Sequence, residues 1–156
     1  MRLYIFISLL ILSSFNIFGQ TKINIKYILS NLSCNSEDII KDSFANKIIV
    51  AGTNNLKELS SNFVDSSVSK VYSKCTNRFL QKGEVALILA DHIKRIPYFS
   101  LIGLQNCTFE TCEKNPNTVE YYLEFMKSRG MLKDFHLRYN KWLRNSVKKK
   151  YRKNKN

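Results

Sequence analysis

A chain of 156 residues with four cysteines and a formal charge of +13 is long enough for one hydrophobic core and no more. Five glycines, two prolines and few β-branched alternations argue against a turn-rich all-β architecture and for helices joined by short turns. The chain holds no HExxH, GxSxG or glycine-rich phosphate loop, so the enzyme classes marked by those motifs have no support.

Residues 1–19, MRLYIFISLLILSSFNIFG, combine Arg2, an apolar run from Leu3 to Leu12 and a polar step before Gly19. That is the layout of a cleaved secretory signal peptide, and it resembles bacterial export signals ending in an aromatic, a small residue and Gln. The apolar run is short for a membrane-spanning helix, so no transmembrane anchor is expected after cleavage. No cysteine precedes Cys34, which argues against a lipid anchor. The expected division is a signal peptide over 1–19, a helical domain over 20–147 and a basic tail over 148–156.

After Gln20 the pattern is mixed. Ile23, Ile25 and Tyr27 alternate like a strand, while Tyr27, Ile28 and Leu32 suit a helix. Residues 36–50 have helical spacing, with Ser36 as cap and Ile39, Ile40 and Phe44 on one face. Short strands near 23–29 or 47–51 are the competing expectation. Residues 54–63 predict a short helix capped by Thr53 or Asn54. Over 65–81, Val68, Val71, Tyr72, Cys75 and Phe79 fall at helical spacing, and Gly83 breaks the pattern.

Residues 83–96 predict a core helix ended by Pro97. At 100° per residue, Val85, Ile88, Leu89, His92, Ile93 and Ile96 share one arc. His92 is thereby expected on the core face, satisfied by backbone or a buried polar group. Asp91 is expected on the solvent flank, paired with Arg95 four residues on. Adjacent helical residues do not face each other, so Asp91 and His92 do not read as an acid–base pair. The loop after Pro97 is apolar and carries CTFETC. Residues 115–130 predict a helix with Val119, Tyr122, Leu123 and Met126 as its stripe and Gly130 as its stop. From Met131 to about Tyr151 a final helix carries Met131, Phe135, Tyr139, Trp142, Leu143 and Val147 on its apolar face. His136 borders that face.

Four cysteines in an exported chain predict two disulfides. Proximity favours Cys107–Cys112, which leaves Cys34–Cys75. Zinc is the weaker reading, because CxxC and a matching His pair are both lacking. Neither metal nor cofactor is expected. The fold expected is mainly α: a single-domain bundle of about five helices with a long disulfide-stapled loop.

Residues 138–156 hold nine Lys and Arg and no acid. Arg138, Lys141, Arg144, Lys148, Lys149, Lys150, Arg152 and Lys153 are the candidate anion- or partner-binding residues. The expected function is an exported binding protein without catalytic activity, periplasmic or extracellular. It would be an inhibitor, an immunity-type protein or an envelope-associated module. Its partner would be a protein or an anionic envelope component, not a specific nucleic-acid sequence. The rival is a small exported hydrolase with a pocket around His92, drawing a carboxylate from Glu110 or Glu113 or using Cys107 or Cys112 as nucleophile.

Overall fold

A computed structural model describes residues 23–103, 112 and 119–153, with side chains through residue 146. The expected signal peptide, Cys107, Glu110 and Glu113 lie outside the described residues. Among these residues are seven α-helices, two 3-10 helices and one hairpin. The mainly α expectation holds, with the helices shorter and more numerous than expected.

The first helix, α1 (Ile25–Asn31), starts where the Asn24 side chain accepts the Tyr27 N–H at 3.0 Å. Ile25, Ile28 and Leu29 face the core, and Tyr27 is exposed. The strand expected near 23–29 is therefore a helix: the alternation of Ile23, Ile25 and Tyr27 does not match burial, while the i, i+3, i+4 spacing does. The helix expected over 36–50 is two pieces. A 3-10 helix, Ser36–Lys41, ends at Asp42, whose carboxylate then caps α2 (Ser43–Val50) by accepting the Phe44 and Ala45 N–H groups at 2.7 and 3.2 Å. Residues 47–50 close α2, so neither expected strand forms. A second 3-10 helix, Gly52–Asn55, leads into α3 (Leu56–Ser61).

The helix expected over 65–81 is instead an antiparallel hairpin, β1 (Val68–Ser73) and β2 (Arg78–Gln81). Along β1, Ser69, Val71 and Ser73 are buried, and Val68 and Lys70 are exposed. That is a two-residue period. Two of the three inward positions are serines, so hydrophobicity alone does not reveal it. The Ser69 hydroxyl donates to the Leu80 carbonyl at 2.7 Å, which satisfies it inside. The reversal ends on Asn77 at φ 53°, a left-handed position that asparagine tolerates.

Cys75, in this reversal, is bonded to Cys112 with 5.8 Å between Cα atoms. Both expected pairings are thus overturned. The connection after residue 103 is stapled, but to the hairpin rather than to itself. Cys34 lies alongside β1, where its carbonyl accepts the Tyr72 N–H at 3.0 Å, and it remains a thiol. Burial, with Asp42, Asp38 and Glu37 nearby, pushes that thiol up to about 11, which favours its protonated form.

At the centre lies α4 (Lys82–Ile93). Every residue from Gly83 to Asp91 is buried, beneath α1, α2, α3, the hairpin and a later helix, α6 (Val119–Ser128). A helix covered all round has no solvent face, so the single-stripe expectation fails here. Gly83 is required: a Cβ there would lie 2.4 Å from the Phe63 carbonyl oxygen. Beyond Pro97 a short α5 (Tyr98–Ile102) ends at Gly103. Helix α6 buries Val119, Tyr122, Leu123 and Met126, as its stripe predicts. Gly130, at φ +64°, separates it from α7 (Leu132–Lys153).

An aromatic layer seats α5, α6 and α7. Tyr98 stacks on Tyr122 with centroids 4.2 Å apart, and Tyr139 meets Phe63 edge-on at 4.9 Å. Such pairs each add about 0.5–1.5 kcal/mol beyond burial. The Ser60 hydroxyl donates to the Asn140 side-chain oxygen at 2.9 Å, tying α3 to α7.

Candidate functional site

Three places gather unusual chemistry: each end of α4, and the solvent face of α7. At the start of α4, Glu84 accepts the Gln81 N–H at 2.6 Å, closing a capping box. Arg78 donates to both Glu84 oxygens, at 2.8 and 2.7 Å, and Lys127 lies 3.2 Å away. Arg78 also bonds Glu124 on α6. Burial alone would raise the Glu84 pKa, but Arg78, the Gln81 N–H and Lys127 together hold it below the ordinary carboxylate value. Nearby, the buried Ser73 hydroxyl donates to Glu120. Glu84 is fully engaged, and this cluster fastens the hairpin and α6 to the central helix.

The other end of α4 reverses the expected placement of Asp91 and His92. Asp91 is 5% exposed, whereas His92 is exposed. The carboxylate turns inward and accepts the Ile96 N–H at 2.8 Å, bridging the chain reversal between α4 and α5. The expected pair with Arg95 exists, at 3.1 Å, but reaches outward from a buried carboxylate. Tyr98 and Tyr139 lie close enough to Asp91 to feel its charge, and His92 opens to solvent. Burial raises the Asp91 pKa, and the Ile96 N–H, Arg95 and His92 only partly offset this. The hydroxyls of Tyr98 and Tyr139 are buried in the field of Asp91, and both resist ionisation through burial first and that charge second.

The His92 ring has no hydrogen-bond partner among the described residues. Partial desolvation lowers its pKa, with Asp91 opposing and Arg95 reinforcing the shift. An acid–base pair of Asp91 with His92 is not formed. Among the described residues, no group of three or more His, Cys, Asp or Glu side chains is placed to hold a metal ion.

The expected basic face of α7 is present. Phe135 and Tyr139 are buried, and Trp142 and Leu143 pack partly against the core. Lys133, Arg138, Lys141 and Arg144 are exposed. Arg138 also reaches the Leu101 carbonyl at 3.3 Å and lies 3.8 Å from Asp134. Lys94 joins this end of the molecule: its ammonium sits 4.7 Å over the Trp142 ring and donates to the Ser146 hydroxyl at 2.7 Å. The backbone stays helical through Lys153, across the expected boundary between domain and tail. The side chains of Lys148, Lys149, Lys150, Arg152 and Lys153 lie outside the described residues.

No helix among the described residues is long and apolar enough to cross a membrane. Compared with family models, curated proteins and solved structures, the chain matches none.

Proposed function

We propose that this protein is an exported binding module without catalytic activity, whose C-terminal helix engages an acidic partner or an anionic surface. It would serve as an inhibitor, an immunity-type protein or an envelope-associated module, in the periplasm or outside the cell. The observation that carries the reading is the division of α7 into two faces. Phe135 and Tyr139 lock one face to the body, while Arg138, Lys141 and Arg144 are exposed on the rest of the helix. Cations held on a rigid helix attract an anionic partner over about a Debye length, roughly 8–10 Å in physiological salt. The apolar leader at 1–19 and the Cys75–Cys112 bridge support an oxidising, exported setting.

The rival hydrolase would bring Glu110, Glu113 or Cys107 to His92, and these lie outside the described residues, while Cys112 is tied up in the bridge to Cys75. The binding reading is tested by retention on an immobilised poly-glutamate surface through a salt gradient. The full chain should elute later than the R138Q/K141Q/R144Q variant, and with a steeper salt dependence. Equal elution of the two would refute it.

A further inference from the structure

The solvent face of α7 has a more specific pattern than a scatter of cations. Lys133, Leu137, Lys141 and Arg144 recur at i, i+4, i+8 and i+11, which places them on one stripe of the helix. All four are exposed, and Leu137 is 67% exposed in the middle of the stripe. Among the described residues, Lys133, Lys141 and Arg144 have no ion-pair partner. The helix is about 33 Å long at 1.5 Å per residue. From Lys133 to Arg144 its outer line is a ridge about 17 Å long, with cations on both sides of one leucine.

We propose that this ridge lies flat on an anionic phospholipid surface, with its cations among the headgroups and Leu137 dipping between them. The inference rests on the reading of α7 as an anion-binding element. Charge complementarity selects an anionic occupant, and the single leucine narrows the choice. A partner helix would need an apolar seam repeated each heptad, and one leucine in three turns does not make one. A nucleic acid would meet the same cations with its phosphates, but those contacts leave Leu137 in water. A headgroup plane imposes no register. It rewards each nearby cation and accepts a single shallow apolar contact. The body already buries the opposite face of α7 through Phe135 and Tyr139, so binding would be interfacial and would not span the bilayer.

The test is sedimentation of the full chain with vesicles of phosphatidylcholine containing phosphatidylglycerol, and with phosphatidylcholine alone. Variants are prepared identically, so residues 1–19 contribute equally to each. Each cation removed should weaken partition into the anionic vesicles about fivefold, and K133Q/K141Q/R144Q about a hundredfold. Leu137→Gln, which keeps the charge, should weaken it severalfold at the same salt. Neutral vesicles should not distinguish any of these chains. All the substituted side chains are exposed, so the variants should retain the wild-type circular dichroism spectrum.

If K133Q/K141Q/R144Q sediments with anionic vesicles as the parent does, the lipid proposal falls. It falls equally if Leu137→Gln is indistinguishable from the parent. If the parent is retained on poly-glutamate but ignores anionic vesicles, the occupant is an acidic protein. The broader binding reading then stands and the membrane inference does not. If neither surface holds the chain, both are overturned.

Discussion

The two ends of α4 each bury a carboxylate, and they treat it in opposite ways. Glu84 sits in the first turn, where the helix dipole favours a negative charge, and takes two bonds from Arg78 and one from its own cap. Asp91 sits in the last turn, where the dipole opposes it. It is held by one backbone N–H and by the largely exposed Arg95. Their pKa values move apart accordingly, Glu84 down and Asp91 up. Burial is thus neither stabilising nor destabilising in itself. Partners that accompany the charge inside decide the sign.

The largest test of this contrast removes the covalent support at the Glu84 end. The Cys75–Cys112 bridge spans 37 residues and constrains the hairpin that supplies Arg78. C75S/C112S should lose about 4 kcal/mol in the chain-entropy model, read as a lower denaturant midpoint. A loss below about 1 kcal/mol would show that the hairpin is held mainly by its buried ion pair.

Next comes the pair itself. Arg78→Met leaves buried Glu84 with the Gln81 N–H and Lys127 as its partners and should cost about 3 kcal/mol. In the same denaturant series, a neutral result would mean that the Arg78–Glu84 pair returns no more than its desolvation cost.

Asp91→Asn should have the smallest effect and the opposite sign. An amide oxygen can still accept the Ile96 N–H while the buried charge disappears, so stability at pH 7 should rise by on the order of 1 kcal/mol. The pH dependence separates the two ends further. The raised pKa of Asp91 means that its contribution is full below the ordinary carboxylate range and is lost as pH rises through its folded value. The lowered pKa of Glu84 means that its contribution is full above that range and is lost as pH falls through its folded value. The advantage of Asp91→Asn over wild type should therefore shrink as melts are taken from pH 7 toward the carboxylate range. A variant less stable than wild type at pH 7 would show that the Arg95 contact outweighs the burial of Asp91.

How much was legible in the sequence depends on how each element is covered. Helices α6 and α7 are packed on one side, so their stripes and their basic face could be read from spacing alone. Gly130 marks the break between them in both views. Helix α4 is covered on all sides, so one apolar arc had no meaning, and His92 and Asp91 were assigned to the wrong faces. Helical spacing misleads over the hairpin because Ser69 and Ser73 point inward, and their hydroxyls are satisfied by Leu80 and Glu120. One local sign was present in Asn77, a residue suited to the tight reversal before β2.

By itself the sequence determined the helical class, the two faces of α6 and α7, and the concentration of positive charge at the C-terminus. Those properties follow from side-chain periodicity along one element, which needs no knowledge of its neighbours. Tertiary structure alone decided that Cys75 joins Cys112, that 68–81 is a hairpin, and that Asp91 rather than His92 is enclosed. Each of these depends on what a distant segment brings: a second sulfur, a carboxylate to satisfy a buried serine, or tyrosines close to Asp91 in the last turn of α4.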